Sequence, residues 1–150
     1  DLAGPCMFAI LMGTSRAFYA KFSEKINLIA FMTASSLLCV ASYLLASLSP
    51  IPLLSLAGCG LCGLSVGIMW PGTFSLAAEK CPRGGTAMFA FFALAGDLGC
   101  SSGPTLVGMV SDAFDGRLTA GLFAAIVFPI VLLLGLQLCR RVTEKRKEAV

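Results

Sequence analysis

Residues 26–78 read INLIAFMTASSLLCVASYLLASLSPIPLLSLAGCGLCGLSVGIMWPGTFSLAA, 53 consecutive positions without one Asp, Glu, Lys or Arg. Two such runs of about 20 apolar residues, each the length a helix needs to cross a bilayer, flank the Ser49-Pro50-Ile51-Pro52 turn. No water-soluble fold buries that much apolar chain. The rest of the sequence agrees. Of 150 residues, 57% are apolar and 13% charged, against about 25% charged in soluble domains, and the mean hydropathy is +0.89. The expected fold class is an all-α integral membrane protein.

Working outward, five spans are expected: about 2–19, 26–48, 51–78, 86–111 and 118–139, followed by a basic tail over 140–150. The first is short and carries Arg16. The chain begins with Asp1 and no basic segment precedes an apolar one, so no signal peptide is read. The chain reads as a piece of something longer.

An odd number of spans puts the two ends on opposite sides. With the C-terminus cytoplasmic, Arg16, Lys21, Lys25, Lys80, Arg83, Arg140, Arg141, Lys145, Arg146 and Lys147 collect inside, and only Arg117 lies outside. That bias follows the positive-inside rule. The expected orientation has a cytoplasmic C-terminus, and the expected location is a membrane of plasma (inner) type.

Several chemistries are excluded. With no histidine, Ser/His and Cys/His dyads and His-based zinc sites are absent. No metal site, cofactor or catalytic residue is expected. The seven cysteines mostly lie in apolar runs, where cysteine acts as a small hydrophobe; this includes the Cys59-x-x-Cys62 pair. No basic patch is interleaved with aromatics, so nucleic acid is not an expected partner. Intramembrane aspartyl protease chemistry needs a Gly-x-Gly-Asp motif and a second acid. Here the motif position reads Leu94-Ala-Gly-Asp97, and no second acid lies in a span.

Within the spans, glycine and proline are frequent. Gly63/Gly67 and Gly99/Gly103 have the spacing that lets helix backbones approach closely. The 51–78 span would be roughly 42 Å long at 1.5 Å per residue, longer than a bilayer core. It must tilt or kink, and Pro71 removes one helix hydrogen bond. Pro104 is a second candidate kink. Asp97 lies near the middle of its span, where an ionised carboxylate costs about 2.5–3.5 kcal/mol. It shares a helical stripe with Ser101, Pro104 and Gly108. Two readings are open: a proton-coupling or substrate-binding carboxyl, or a protonated Asp hydrogen-bonded to a neighbouring helix.

At this point a family pattern is visible. Gly13-Thr-Ser-Arg16 with Lys21-Phe-Ser-Glu-Lys25, then Met69-Trp-Pro71-Gly-Thr-Phe74-Ser75-Leu76, then Gly103-Pro104 with Gly108-Met-Val-Ser111-Asp112, occur in order. The chain resembles the C-terminal half of a major facilitator superfamily transporter, helices eight to twelve of twelve. Within that family it is similar to the fucose-permease-like sugar:proton symporters. The resemblance implies alternating access of two helix bundles around a midplane site. It implies a small-molecule substrate, protons, the lipid bilayer and an N-terminal helix bundle as partners. By position, Trp70 and Thr73 would face the pathway with Asp97 and Ser101. Trp70 would stack on a sugar face or serve as packing. Arg16 and Glu79 would form a cytoplasmic gate or mark the headgroup boundary. Asp97 stands where that branch tends to carry glycine, so its role rests on physics alone. The runners-up are an exporter of hydrophobic compounds and a non-transporting membrane sensor or scaffold. Without a partner bundle the chain is expected to be unstable and inactive in transport.

Overall fold

The computed structural model describes residues 2–22 and 26–148, with the side chains of 143–148 excluded. Lys25 and the tail cations Lys145, Arg146 and Lys147, named above, therefore lie outside the described side chains. Among the described residues seven helices follow in order: α1 (Ala3–Phe22), α2 (Leu28–Leu48), α3 (Pro52–Val66), α4 (Met69–Lys80), α5 (Gly85–Ala113), α6 (Leu118–Ala124) and α7 (Val127–Glu148).

Local chemistry sets the ends. Asn27 caps α2, its side-chain oxygen accepting from the Ala30 N–H at 3.2 Å. Pro52 opens α3 at a position where a missing N–H costs nothing. The Ser55 hydroxyl donates to the carbonyls of Ala46 and Ser49, both at 3.4 Å, and ties the α2–α3 hairpin. After α5 the chain turns through Asp115 and Gly116, both at positive φ, and the Gly116 N–H caps Ser111 O at 2.9 Å.

Two of the expected spans are each broken into two helices. α3 and α4 together run as one 29-residue apolar stretch, Pro52–Lys80, and α6 and α7 as another, Leu118–Val142. Both breaks have one cause. Pro71 and Pro129 each stand third in the helix after the break. Each lacks the N–H that would bond four residues back, to Gly67 O and Ala125 O. The bend in the 51–78 span thus lies at Gly67–Ile68, one turn before Pro71. By contrast, α5 continues past Pro104 without interruption. α7 also extends helically through the basic tail to Glu148.

Among the described residues, three stretches are long and apolar enough to cross a membrane: Leu28–Leu48, Pro52–Lys80 and Leu118–Val142. The other two of the five expected spans fall short on apolarity. Arg16 and Lys21 lower α1, and Asp97, Ser101, Ser102, Pro104 and Thr105 lower α5.

α3 is the anchored element, packed on α1 and α2. Its glycine face lets backbones touch. A Cβ at Gly63 would meet the Phe8 carbonyl oxygen and lie 2.9 Å from Phe8 Cα. One at Gly67 would lie 2.8 Å from Met12 O, and one at Gly58 would lie 3.0 Å from Ala46 N. Gly99 and Gly103 have open space instead, so the second expected close-approach pair meets no neighbour among the described residues. A small apolar core forms where Met32 of α2, Leu76 of α4 and Leu136 of α7 meet. Buried hydroxyls satisfy themselves within their own helices: Ser36 donates to Met32 O at 2.8 Å and Ser65 to Cys62 O at 2.7 Å. α5 packs mainly on α6, and Ser111 is its one fully buried residue.

Candidate transport pathway

The site is built around the α3–α4 bend. Gly67 and Ile68 keep right-handed helical angles, φ −53° and ψ −38° for Gly67, φ −96° and ψ −12° for Ile68. The chain is bent, not unwound. Pro71 leaves Gly67 O without its helical donor. Arg16 of α1 supplies one, its Nε donating to Gly67 O at 2.9 Å. Arg16 lies six residues, about 9 Å at 1.5 Å per residue, inside the end of α1. No ion pair joins it to Glu79. The Glu79 carboxylate instead sits 3.1 Å from Lys80 Nζ.

Just beyond the bend, α4 carries an aromatic ladder to α5. The Trp70 ring stands edge-on to Phe74, with centroids 4.8 Å apart. Phe74 stacks on Phe89 at 5.6 Å and tilts against Phe92 at 5.8 Å. The indole also seats on Gly96, where a Cβ would strike the ring. These contacts place Trp70 beside the residue preceding Asp97. Trp70 remains 47% exposed. Such ring pairs contribute about 0.5–1.5 kcal/mol beyond area burial.

Asp97 and Ser101 are exposed on α5. The Ser101 hydroxyl donates to Asp97 O at 2.9 Å, and Thr105 donates to Ser101 O at 2.7 Å. Both hydroxyls are thus folded back on the helix, and each oxygen can still accept. The Asp97 carboxylate has no hydrogen-bond or ion-pair partner among the described residues. The neighbouring-helix bond of the alternative reading has no counterpart there. Thr73 is half-buried and donates to Met69 O at 2.7 Å. Trp70 and Asp97 are therefore neighbours, Ser101 lies one turn further along α5, and Arg16 belongs to the bend.

Sequence reasoning did not single out Phe89, Phe92 or Gly96 as ladder members. The i,i+4 pair Trp70/Phe74 and the i,i+3 pair Phe89/Phe92 were the available signal. None of the seven cysteines is in a disulfide, and among the described residues no group of His, Cys, Asp or Glu is placed to hold a metal ion. The Cys59-x-x-Cys62 pair faces inward, Cys62 meeting Cys39 of α2 and Cys59 lying 3.9 Å from Gly4 O.

A family model described as Major Facilitator Superfamily matches residues 5–150. The chain belongs to the major facilitator superfamily. It is a membrane transport protein by family, and its members are transporters rather than enzymes. Neither a curated protein nor a solved structure matches it.

Proposed function

We propose that this superfamily chain forms the C-terminal part of a secondary active transporter that moves a small polar solute, a sugar in the leading reading, by alternating access coupled to protons. In this reading its helices correspond to the eighth to twelfth of twelve, α1 and α5 also span, and the C-terminus is cytoplasmic in a plasma (inner) membrane. The branch assignment to fucose-permease-like symporters belongs to the same proposal.

The observation that carries it is the surface of α5. Asp97, whose carboxylate has no partner among the described residues, and Ser101 and Thr105 lie exposed along α5, and Trp70 seats on Gly96, the residue before Asp97. A polar solute with one apolar face fits such a pairing of ring and acid. An isolated acid in an apolar span is costly. A cavity shared with a second helix bundle would hydrate it and give it a substrate or proton to bind. Thr73 lies on the pathway side of α4, Pro71 lies just after the α3–α4 break, and Pro104 lies within the unbroken α5. Arg16 secures the bend near the cytoplasmic gate, with Glu79 at the adjacent helix end.

The test is uptake by the full-length protein in proteoliposomes, with candidate sugars and an imposed pH gradient. Gradient-driven accumulation is expected, and Asp97→Asn should abolish the dependence on the gradient. Accumulation that ignores both the gradient and the substitution removes proton coupling at Asp97. The aromatic ladder favours one second reading, an exporter of hydrophobic compounds. Competition by aromatic cations but not by sugars would select it.

A further inference from the structure

The fold pairs cysteines across two helices, not along the Cys59-x-x-Cys62 motif. Cys59 and Cys62 lie one turn apart on α3, yet the thiol hydrogen-bonded to Cys62 is Cys39 of α2. The register of the α2–α3 hairpin explains this. Near the turn, the Ser55 hydroxyl donates to Ala46 O. One turn deeper, Gly58 faces Ser42 and Ala46, where a Cβ would lie 3.1 Å from Ser42 O and 3.0 Å from Ala46 N. The next step along both helices, at the three- or four-residue spacing of one helix face, brings Cys39 to Cys62. Glycine at 58 thus draws the backbones together one turn from the two thiols. A disulfide needs such an approach, with Cα atoms no more than about 7 Å apart.

Both sulfurs lie near mid-membrane. Cys39 is the twelfth of the 21 residues of α2, and Cys62 the eleventh of the 29 in the Pro52–Lys80 stretch. At 1.5 Å per residue each is roughly 14–15 Å from the hairpin turn, about half a hydrocarbon core. Cys39 is 2% exposed and Cys62 half-buried. A hydroxyl stands beside each sulfur. Tyr43 of α2 hydrogen-bonds to Cys62. Ser65, which donates to Cys62 O at 2.7 Å, also reaches the Cys39 sulfur. A thiolate is costly in apolar surroundings unless donors meet it, and these two hydroxyls supply one donor for each sulfur. At this depth the oxidant must itself dissolve in hydrocarbon.

We propose that Cys39 and Cys62 form a disulfide on exposure to a membrane-borne hydroperoxide, a covalent staple between α2 and α3. Cys62, the more accessible thiol, reacts first. Its sulfur bonds to the terminal oxygen, the O–O bond breaks, and the remainder takes the thiol proton and leaves as an alcohol. The sulfenic acid at Cys62 then condenses with Cys39. The S–S bond forms, the S–O bond breaks, and the hydroxyl leaves as water with the Cys39 proton. Two thiols lose two electrons and two protons, and one hydroperoxide becomes one alcohol and one water.

The staple has a defined place in the bundle. Among the described residues α3 packs on α1, whereas α2 packs on α4, α6 and α7. The α2–α3 seam is the main join between these two groups. The disulfide locks that seam at mid-membrane and leaves the α3–α4 bend free.

The experiment uses the full-length protein in proteoliposomes, with Cys39, Cys59 and Cys62 as its only cysteines. It is treated with cumene hydroperoxide, which partitions into lipid, or with hydrogen peroxide, which does not. Thiols are counted by maleimide mass shift in denaturant, and peptic fragments locate the link. Cumene hydroperoxide should lower the count from three to one, with Cys39 joined to Cys62, and dithiothreitol should restore three. Hydrogen peroxide should need a higher dose. Cys59→Ser should keep the link. Cys39→Ser should lose it and accumulate a Cys62 sulfenic acid that dimedone traps.

A count that stays at three, a link between Cys59 and Cys62, or equal potency of hydrogen peroxide overturns the proposal. Because the link is located in the protein that keeps all three thiols, misfolding of a serine variant leaves the result intact.

Discussion

The Arg16–Gly67 hydrogen bond and Pro71 make one testable unit. Pro71 has no N–H, so Gly67 O depends on Arg16 Nε at 2.9 Å. Replacing Arg16 with Ala leaves a carbonyl without a partner inside an apolar stretch. Hydrogen bonds to charged groups contribute about 1.5–3 kcal/mol in water-soluble proteins, and bonds between membrane helices average about 0.6 and reach about 1.7 kcal/mol. Arg16 is exposed, so the expected cost of Arg16→Ala is about 1–1.5 kcal/mol.

Pro71→Ala changes that cost. It restores an N–H four residues after Gly67, and the backbone at 67 and 68 is already close to helical. The carbonyl then has a local donor, and Arg16→Ala in the Pro71→Ala background should cost less than about 0.5 kcal/mol. The double-mutant cycle should therefore show a coupling of about 1 kcal/mol. The assay is reversible unfolding of the full-length protein in mixed micelles, followed by helix content. Arg16→Lys keeps the charge and loses the Nε geometry, and should fall between wild type and Arg16→Ala. Additivity of the two substitutions within about 0.3–0.5 kcal/mol would falsify the assignment of Arg16 to this carbonyl.

Four other outcomes follow from the packing and the orientation. Gly63→Ala should destabilise the protein by about 1–3 kcal/mol, because its Cβ would press on the Phe8 backbone. Gly99→Ala, with open space around it, should gain up to about 1 kcal/mol of helix propensity; equal effects at the two sites in thermal unfolding would contradict this packing. Gly96→Ala should push the Trp70 ring off α5, red-shift its fluorescence and weaken substrate binding about three- to tenfold, the worth of an aromatic contact. A single-cysteine protein carrying the exposed Cys81 should react with an impermeant maleimide from the cytoplasmic side, and one carrying Asp112→Cys from the other; labelling of both from one side would mean that α5 does not span, and exchange of the two sides would reverse the topology.

Much of the fold was legible because hydropathy and proline act locally. The charge-free run from Ile26 to Ala78 gave α2 and the α3–α4 stretch, and Pro50 and Pro52 placed the hairpin between them. Pro71 announced a bend, although its effect falls four residues earlier, on the carbonyl it fails to satisfy. The same rule applied to Pro129 would have found the α6–α7 break, which the hydropathy of 118–139 concealed. What was not legible depends on approach between helices. Gly63/Gly67 and Gly99/Gly103 have identical spacing, yet only the first pair meets a neighbour. Arg16 looked like a partner for Glu79 because opposite charges invite pairing. The close backbone contact of α1 and α3 puts it instead beside a carbonyl, which no charge pattern encodes.

The two proline breaks also differ in a way that bears on the pathway. At Ala125 the freed carbonyl accepts from the Phe128 N–H at 3.1 Å, three residues on. That repair stays within one strand of chain and involves no other helix. At Gly67 the repair crosses from α1. A cation in an apolar span and a proline in a helix interior are each destabilising alone. Together, the guanidinium gains an acceptor and the carbonyl gains a donor. The segment beyond this joint is α4, which carries Trp70 and Thr73 and has far fewer neighbours than α3. Any change of angle at Gly67–Ile68 moves Trp70 against Gly96 and Asp97, while α3 stays locked to α1 by its glycine face. The Arg16 bond is therefore the contact through which α1 can bias the position of the ring beside the exposed acid.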